Sequence, residues 1–312
     1  MNTDFHIPVL LNKAVELLIN PEIKEHTLID GTTGGGGYSK KICETCNSLK
    51  LLICFDKDLN ALGHSKKNLS AVSEKIKFVN DNFANIKKVS GDLEIEKISG
   101  LILDLGLSNY QLTDEDGFSY LRNTPLDMRA DKRKNLTAAE VLNSYDKTEL
   151  IGVFREYGEI GNEERLANAV INNRKRKRMN MTYDLNEVVE TEYNIKSIAL
   201  NKFLSKIYQA IRIEVNGELN DLKKVLEDSF ELMDNKARLV VVSYHSLEDR
   251  IVKNFIKDKA FTPSVSKYGR EEQIRTKKLK ILTKKAVLPE RFEVNSNPKS
   301  RSAKLRAAEV NE

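Results

Sequence analysis

At 312 residues the chain has room for one large or two moderate domains, and its 40% apolar residues can bury a sizeable core. No run of about 18 apolar residues occurs, which argues against a membrane span. The N-terminus MNTDFHIPVLLNKAVELL lacks a basic leader region, which argues against a secretory signal. Three cysteines give no disulfide framework and suit a reducing cytoplasm. Net charge is only +5, but the bases cluster: RKRKR at Arg174 to Arg178, RTKKLKILTKK, and KSRSAKLR near the C-terminus. Such clusters suit a polyanion such as nucleic acid, or else a solvated face.

In chain order, TLID (27–30), LKLLICFD (49–56), KIKFVN (75–80) and ISGLILDLG (98–106) read as strands, with helical spacing between them. This alternation predicts a parallel α/β sheet that binds its ligand at the carboxyl ends of the strands. Cys43 and Cys46 form a C-x-x-C pair on the helix after the first strand. The four histidines (His6, His26, His64, His245) are scattered, so no metal site is expected. From about Thr113 to Arg212 the pattern is helical. The helix ELNDLKKVLEDSFELM and the strand ARLVVVSYH then resume the α/β alternation. The simplest organisation is a discontinuous α/β domain, 1–112 and 213–312, carrying a helical insertion at 113–212. Two tandem domains would leave the last strand without its sheet.

DGTTGGGGYSKK, Asp30 to Lys41, places five glycines in seven residues. It has no lysine in P-loop register, and Thr33 breaks the G-x-G-x-x-G dinucleotide pattern. Asp56 follows the glycines by about 20 residues, the spacing at which an acid binds ribose hydroxyls. The first strand ends in Asp30, the third in NDNF and the fourth at Asp104, so four strands bring a carboxylate or amide to one edge. Acids repel phosphate but suit ribose hydroxyls, an amino group and a sulfonium. S-adenosyl-L-methionine (SAM) is the ligand that fits; the alternative for each acid is capping of the next helix.

HIPVLL (6–11), DGTTGGGGYS (30–39), DLGLSNYQL (104–112), GFSY…PLDMR (117–129), REYGE (155–159), YQAIRIEVNGEL (208–219), SYHSLEDRIVK (243–253) and NPKSRSAKLR (297–306) run in one order along nearly the whole chain. In this the sequence resembles the RsmH (MraW) family of 16S rRNA cytosine-N4 methyltransferases. The resemblance implies a class I SAM-dependent methyltransferase (Rossmann-like) sheet with an inserted helical domain for RNA. It implies SAM as donor and a cytidine amine in the P-site region of 16S rRNA as acceptor. It also implies cofactor contacts at Gly36, Gly37, Tyr38, Asp56, Phe83, Asp104 and Gln111, with Asp56 on the ribose and Phe83 against adenine. The family usually has histidine where this chain has Tyr38, so a backbone contact there survives and an imidazole contact does not. The family's LGVSSPQL reads LGLSNYQL here; losing the proline before Gln111 loosens that turn.

The cytosine amine is a poor nucleophile because its lone pair is delocalised into the ring, so the enzyme must position it, accept its hydrogen bonds and align it with the S–methyl bond. Asp104, Ser108 and Asn109 are the candidate acceptors; for the last two, turn chemistry is the competing explanation. His245 is the other catalytic candidate, as a base-orienting group or proton acceptor. Against it stands a turn in which Ser246 caps the next helix with Asp249 at the third position. The expected partner is 16S rRNA, within the small ribosomal subunit, in the cytoplasm and with no membrane; monomer and dimer are both open. The competing functions are a SAM-dependent methyltransferase for another RNA, DNA or protein, and an RNA-binding assembly factor with a degenerate SAM fold.

Overall fold

The computed structural model describes residues 8–106, 116–260 and 278–311. The chain divides into two units, one holding described residues 116–218 and the other 8–106 and 219–311.

In the second unit, strands β1 (His26–Asp30), β2 (Leu49–Phe55), β3 (Ile76–Val79), β4 (Ile98–Asp104), β5 (Met233–Ser243), β6 (Lys278–Ile281) and β7 (Lys304–Asn311) form one sheet in the order β3-β2-β1-β4-β5-β7-β6. The strands β3, β2, β1, β4 and β5 pair in parallel, whereas β7 runs antiparallel to both neighbours. This is the expected methyltransferase-type sheet. Side chains alternate between its faces, as the pleat requires. Ile29, Ile53, Leu101, Leu103, Leu239 and Val241 lie in one core with Leu222, Val225 and Leu226 of the helix Glu218–Leu232. Leu28, Leu52, Ile102, Val240 and Val242 lie in another, with Val15 and Leu18 of α1 (Leu11–Leu18) and Tyr38 and Ile42 of α2 (Gly37–Thr45). Helices on both faces explain why the strands read as continuous apolar runs.

Strand order reverses between β1 and β4, and ligands of open parallel sheets bind at such a reversal. Asp30 is in register with Cys54 of β2 and Ile102 of β4, so the glycine loop leaves the sheet level with both neighbours.

The two C-terminal strands carry too many charges to read as strands from the sequence. The motif NPKSRSAKLR is a 3₁₀ turn, Pro298–Ser302, running into β7. Arg306 Nε and Nη2 reach Asp249 Oδ1 and Oδ2 at 2.6 and 3.1 Å, and Lys304 Nζ lies 3.6 Å from the same carboxylate. This corrects the reading of the whole motif as a phosphate-holding surface: Lys304 and Arg306 tie β7 to the helix Ser246–Ala260.

The first unit is helical: Ala138–Ser144, Lys147–Glu156, Glu163–Arg174, Thr182–Tyr193 and Ser197–Asn216 surround a core of their own that includes Leu142, Leu150, Phe154, Leu166, Leu185 and Ile211. Capping boxes at Thr137/Glu140 and Asp146/Glu149 start the first two of these helices. The quoted motifs of this unit are largely scaffold. Buried Asn216 accepts from Ala130 N at 2.9 Å and donates to Met128 O at 2.8 Å, joining PLDMR to YQAIRIEVNGEL. Gln209 Nε2 donates to Tyr157 O of REYGE at 3.1 Å.

Candidate active site

The glycine loop is held at the strand ends by its own backbone. Gly31 N donates to Ile102 O at 2.9 Å and Thr33 N to Phe55 O at 2.9 Å, extending the sheet by hydrogen bonds to both neighbours of β1. Thr32 Oγ1 accepts from Asp104 N at 2.6 Å. Gly36 has φ +86, a conformation that disfavours a side chain, and a Cβ on Gly37 would fall within the Pro8 ring. The loop therefore lies close against its surroundings, and the helix Gly37–Thr45 begins directly after it. The first-turn amides of that helix, Gly37 and Tyr38, have no partner within the helix.

Tyr38 itself faces inward. It is 3% exposed, its hydroxyl donates to Val9 O, and the same phenol adds a weaker hydrogen-bonding contribution at Asp104. Its ring packs in the core beside Ile42 of α2.

The strand-end acids divide into two kinds. Asp30, 1% exposed, accepts from Ser39 Oγ at 2.6 Å and from Thr32 N at 3.2 Å; burial, partly opposed by those bonds, pushes its carboxyl up to about 6. It braces the loop from within, contrary to its reading as one of four strand-end carboxylates or amides at the ligand edge. At the third strand, Asn82 Oδ1 caps Ala84 N at 3.0 Å and Asp81 Oδ1 accepts from Asn85 Nδ2 at 2.8 Å, so both serve the turn that presents half-buried Phe83. Phe83 Cβ lies beside Gly31, 3.4 Å from where a Cβ would stand.

Asp56 and Asp104 are the other kind. Asp56, half-buried, accepts from Gly34 N at 2.8 Å and Asp58 N at 2.9 Å, and burial raises its carboxyl above the usual range. Each carboxylate oxygen can accept a second hydrogen bond, so both remain able to hold hydroxyls. Asp104 accepts from Tyr244 Oη at 2.8 Å. Burial pushes its carboxyl up to about 8; the Tyr244 bond and, less strongly, Tyr38 oppose the rise, and the charges of Asp30 and Glu248 add to it. A pyrophosphate does not fit beside these acids. A ribose with a neighbouring cationic sulfur does, so the residues present fit SAM.

His245 is the N-cap of the helix Ser246–Ala260. Its Nδ1 lies 3.4 Å from Glu248 N, while Glu248 Oε2 accepts from Tyr244 N at 2.9 Å and His245 N at 3.3 Å. The reciprocal bonds at this helix start thus join His245 with Glu248, one residue earlier than the expected Ser246 with Asp249, while the Asp249 carboxylate is turned to Arg306 on β7. His245 Nε2 lies 3.1 Å from Glu248 Oε1 without hydrogen-bond direction. Ser108, Asn109 and Gln111 lie outside the described residues.

The residue missed in the sequence is Tyr244, although it stands in the quoted SYHSLEDRIVK. An aromatic with a polar tip directly after a buried strand was the available signal.

Of the RKRKR run, Arg174 Nη1 bonds the carbonyls of Leu142 and Tyr145 at 3.0 and 2.7 Å, and Lys177 Nζ pairs with Asp184 at 2.6 Å. Lys175, Arg176 and Arg178 are exposed. Among the described residues no helix is long and apolar enough to cross a membrane.

The family model described as the MraW methylase family matches residues 3–311. Ribosomal RNA small subunit methyltransferase H of Clostridioides difficile (strain 630) is 39% identical over 97% of this chain and 98% of its own. That of Chloroherpeton thalassium is 40% identical over 99% of both. A solved structure, an rRNA methylase from Streptococcus thermophilus, aligns at TM-score 0.43 with 11% identity, over 97% of this chain and 94% of its own.

Proposed function

The chain belongs to the MraW methylase family, and from that premise we propose how it performs SAM-dependent methylation of 16S rRNA. SAM is the donor, supplying a methyl group already activated on a sulfonium. The acceptor we assign is the N4 amine of a cytidine in the P-site region. The observation that carries the assignment of the site is the pair of accessible acids, Asp56 and Asp104, flanking a glycine loop with no lysine in phosphate register.

In this reading Asp56 accepts the ribose hydroxyls, half-buried Phe83 lies against the adenine, and the backbone of Gly36, Gly37 and Tyr38 passes the methionine part. Gln111 completes the cofactor contacts. Asp104, at the end of β4 and beside the sheet reversal, accepts hydrogen bonds from an amino group, with Ser108 and Asn109 as further acceptors. An acceptor bond to the cytosine amine orients it and draws electron density onto its nitrogen. His245 stands one residue beyond Tyr244, and its role is to orient the base or accept the proton released on methylation.

The target base must leave its stack to be reached. The helical unit, 113–212 in the sequence division, is assigned to the RNA, with Lys175, Arg176 and Arg178 on its phosphates. Phosphate contacts position the RNA, while base contacts select the cytidine. The assembled small subunit is the proposed substrate and the cytoplasm the proposed location. Incubating the protein with SAM and small subunits that lack the modification, then mass mapping the nucleotide, tests donor, base and position together. Label on a ring carbon or a ribose oxygen, or none on the RNA, would overturn the assignment.

A further inference from the structure

Asp104 is held from two directions. From the glycine loop, Thr32 Oγ1 takes its backbone N–H at 2.6 Å, and from the end of β5, Tyr244 Oη reaches its Oδ1 at 2.8 Å. Tyr244 is itself fixed. Glu248 Oε2 accepts its N–H at 2.9 Å, and its ring lies against Gly106, where an added Cβ would stand 3.1 Å from Tyr244 Cδ2. Gly106 has φ +118, so the chain leaves β4 by a conformation that glycine alone adopts readily, and the tyrosine ring fills the space a side chain would occupy.

We propose that Tyr244 is a positioning residue for methyl transfer: its O–H holds the Asp104 carboxyl in the orientation and ionisation state that a cationic methyl donor requires. The inference rests on reading Asp104 as a SAM-contacting residue. Its physical basis is the charge around the carboxyl. The groups facing Asp104 are the acids Asp30 and Glu248 and the phenols Tyr244 and Tyr38; those facing Tyr244 include Asp104, Glu248 and Glu293. Tyr38 gives its hydroxyl to Val9 O and adds a weaker hydrogen-bonding contribution at Asp104, so Tyr244, at 2.8 Å, is the stronger of the two phenols on that carboxyl. Burial and the neighbouring acids raise the Tyr244 phenol far above its ordinary range, so it remains a donor at every working pH. A donor bond to a carboxylate favours the ionised form, against burial and two like charges. The bound sulfonium then favours it further, so SAM binding expels a proton that the product S-adenosylhomocysteine, whose sulfur is a neutral thioether, does not.

The test is the pH dependence of SAM and S-adenosylhomocysteine affinity, read by calorimetry on the full chain from pH 6 to 9. For the wild type, SAM affinity should rise with pH and product affinity should change little. In Tyr244→Phe the ring still fills the space at Gly106. The rise should move up by about one pH unit, giving roughly tenfold weaker SAM binding at pH 7 that converges on the wild type by pH 9. Replacing Tyr244 with 3-fluorotyrosine, a stronger donor, should move the rise the other way, which keeps the test intact if the phenylalanine variant is poorly folded. In an Asp104→Asn background the pH dependence should vanish, and Tyr244→Phe should cost less than about twofold more. A Tyr244→Phe profile parallel to the wild type at every pH, or an equal loss in the Asp104→Asn background, would reduce Tyr244 to packing and overturn the proposal. A wild-type SAM profile flat in pH would overturn the Asp104 assignment and this inference with it.

Discussion

Asp30 and Asp104 end neighbouring strands, are both acids, and do different work because one points under the glycine loop and the other is seated on Tyr244. Asp104→Ala should reduce methyl transfer to background while the far-UV circular dichroism stays native; near-normal turnover in that variant would remove Asp104 from the chemistry. Both carboxyls are raised, to about 6 and about 8, so the ligand-free folded chain keeps protons that the unfolded chain has released. Their contribution to stability is therefore most favourable below about pH 4 and declines as pH rises through about 6 for Asp30 and about 8 for Asp104. Urea midpoints between pH 4 and 8 measure this, and Asp30→Asn should flatten the part between 4 and 6. Asp249 has the opposite sign. Burial alone would raise it, but Arg306 and Lys304 outweigh burial and hold it low, so its contribution is present above about pH 4 and lost in acid. Two acids in one sheet region thus lose stability with rising pH while a third loses it with falling pH. Nothing in the sequence distinguishes them, since the difference lies in which groups surround each one.

Elements, like residues, divide by what they touch. The helix after the glycine loop starts where a Cβ at position 37 would enter the Pro8 ring. Gly37→Ala should therefore cost about 1–3 kcal/mol by urea denaturation, with weakened SAM binding as the loop shifts. Strand β7 is secured by the fork of Arg306 on Asp249, whose side chains are each 13% exposed. Arg306→Ala removes the two-bond fork and leaves the Asp249 carboxylate with Lys304 as its remaining cation, so it should cost about 1–3 kcal/mol, an effect on folding rather than on RNA. The exposed bases behave differently. Reversing Lys175, Arg176 and Arg178 to glutamate should leave the melting temperature nearly unchanged, weaken RNA binding, and lower the salt slope by up to about 2–3. Unchanged affinity and slope would make them a solvated face. Within one run of five bases, Arg174 serves the scaffold, Lys177 serves Asp184, and three remain for a partner.

At the scale of the molecule, each unit has its own apolar core: the sheet's two cores are built from residues of 8–106 and 219–311, the helical core from 116–218. Leu150→Ala, at a fully buried position of the helical core, should destabilise that unit by about 2–5 kcal/mol while SAM affinity of the full chain stays within about twofold. A matching loss of SAM affinity would show that the donor site depends on the helical core. The sequence by itself determined the parallel strands β1 to β5, the helical character of the stretch between β4 and β5, and the edge at which Asp56 and Asp104 meet the glycine loop. Those features follow from periodicity and spacing, which are local along the chain. Tertiary structure alone decided that Asp30 and Tyr38 turn inward, that Lys304 and Arg306 belong to a strand, that His245 rather than Ser246 caps its helix, and that Tyr244 reaches Asp104. The longest-range of these rest on partners distant in sequence: Tyr244 lies 140 residues from Asp104 and Arg306 lies 57 from Asp249. Pattern fixes which face of an element is apolar, but a polar group's partner is set only when the sheet order places two strand ends side by side.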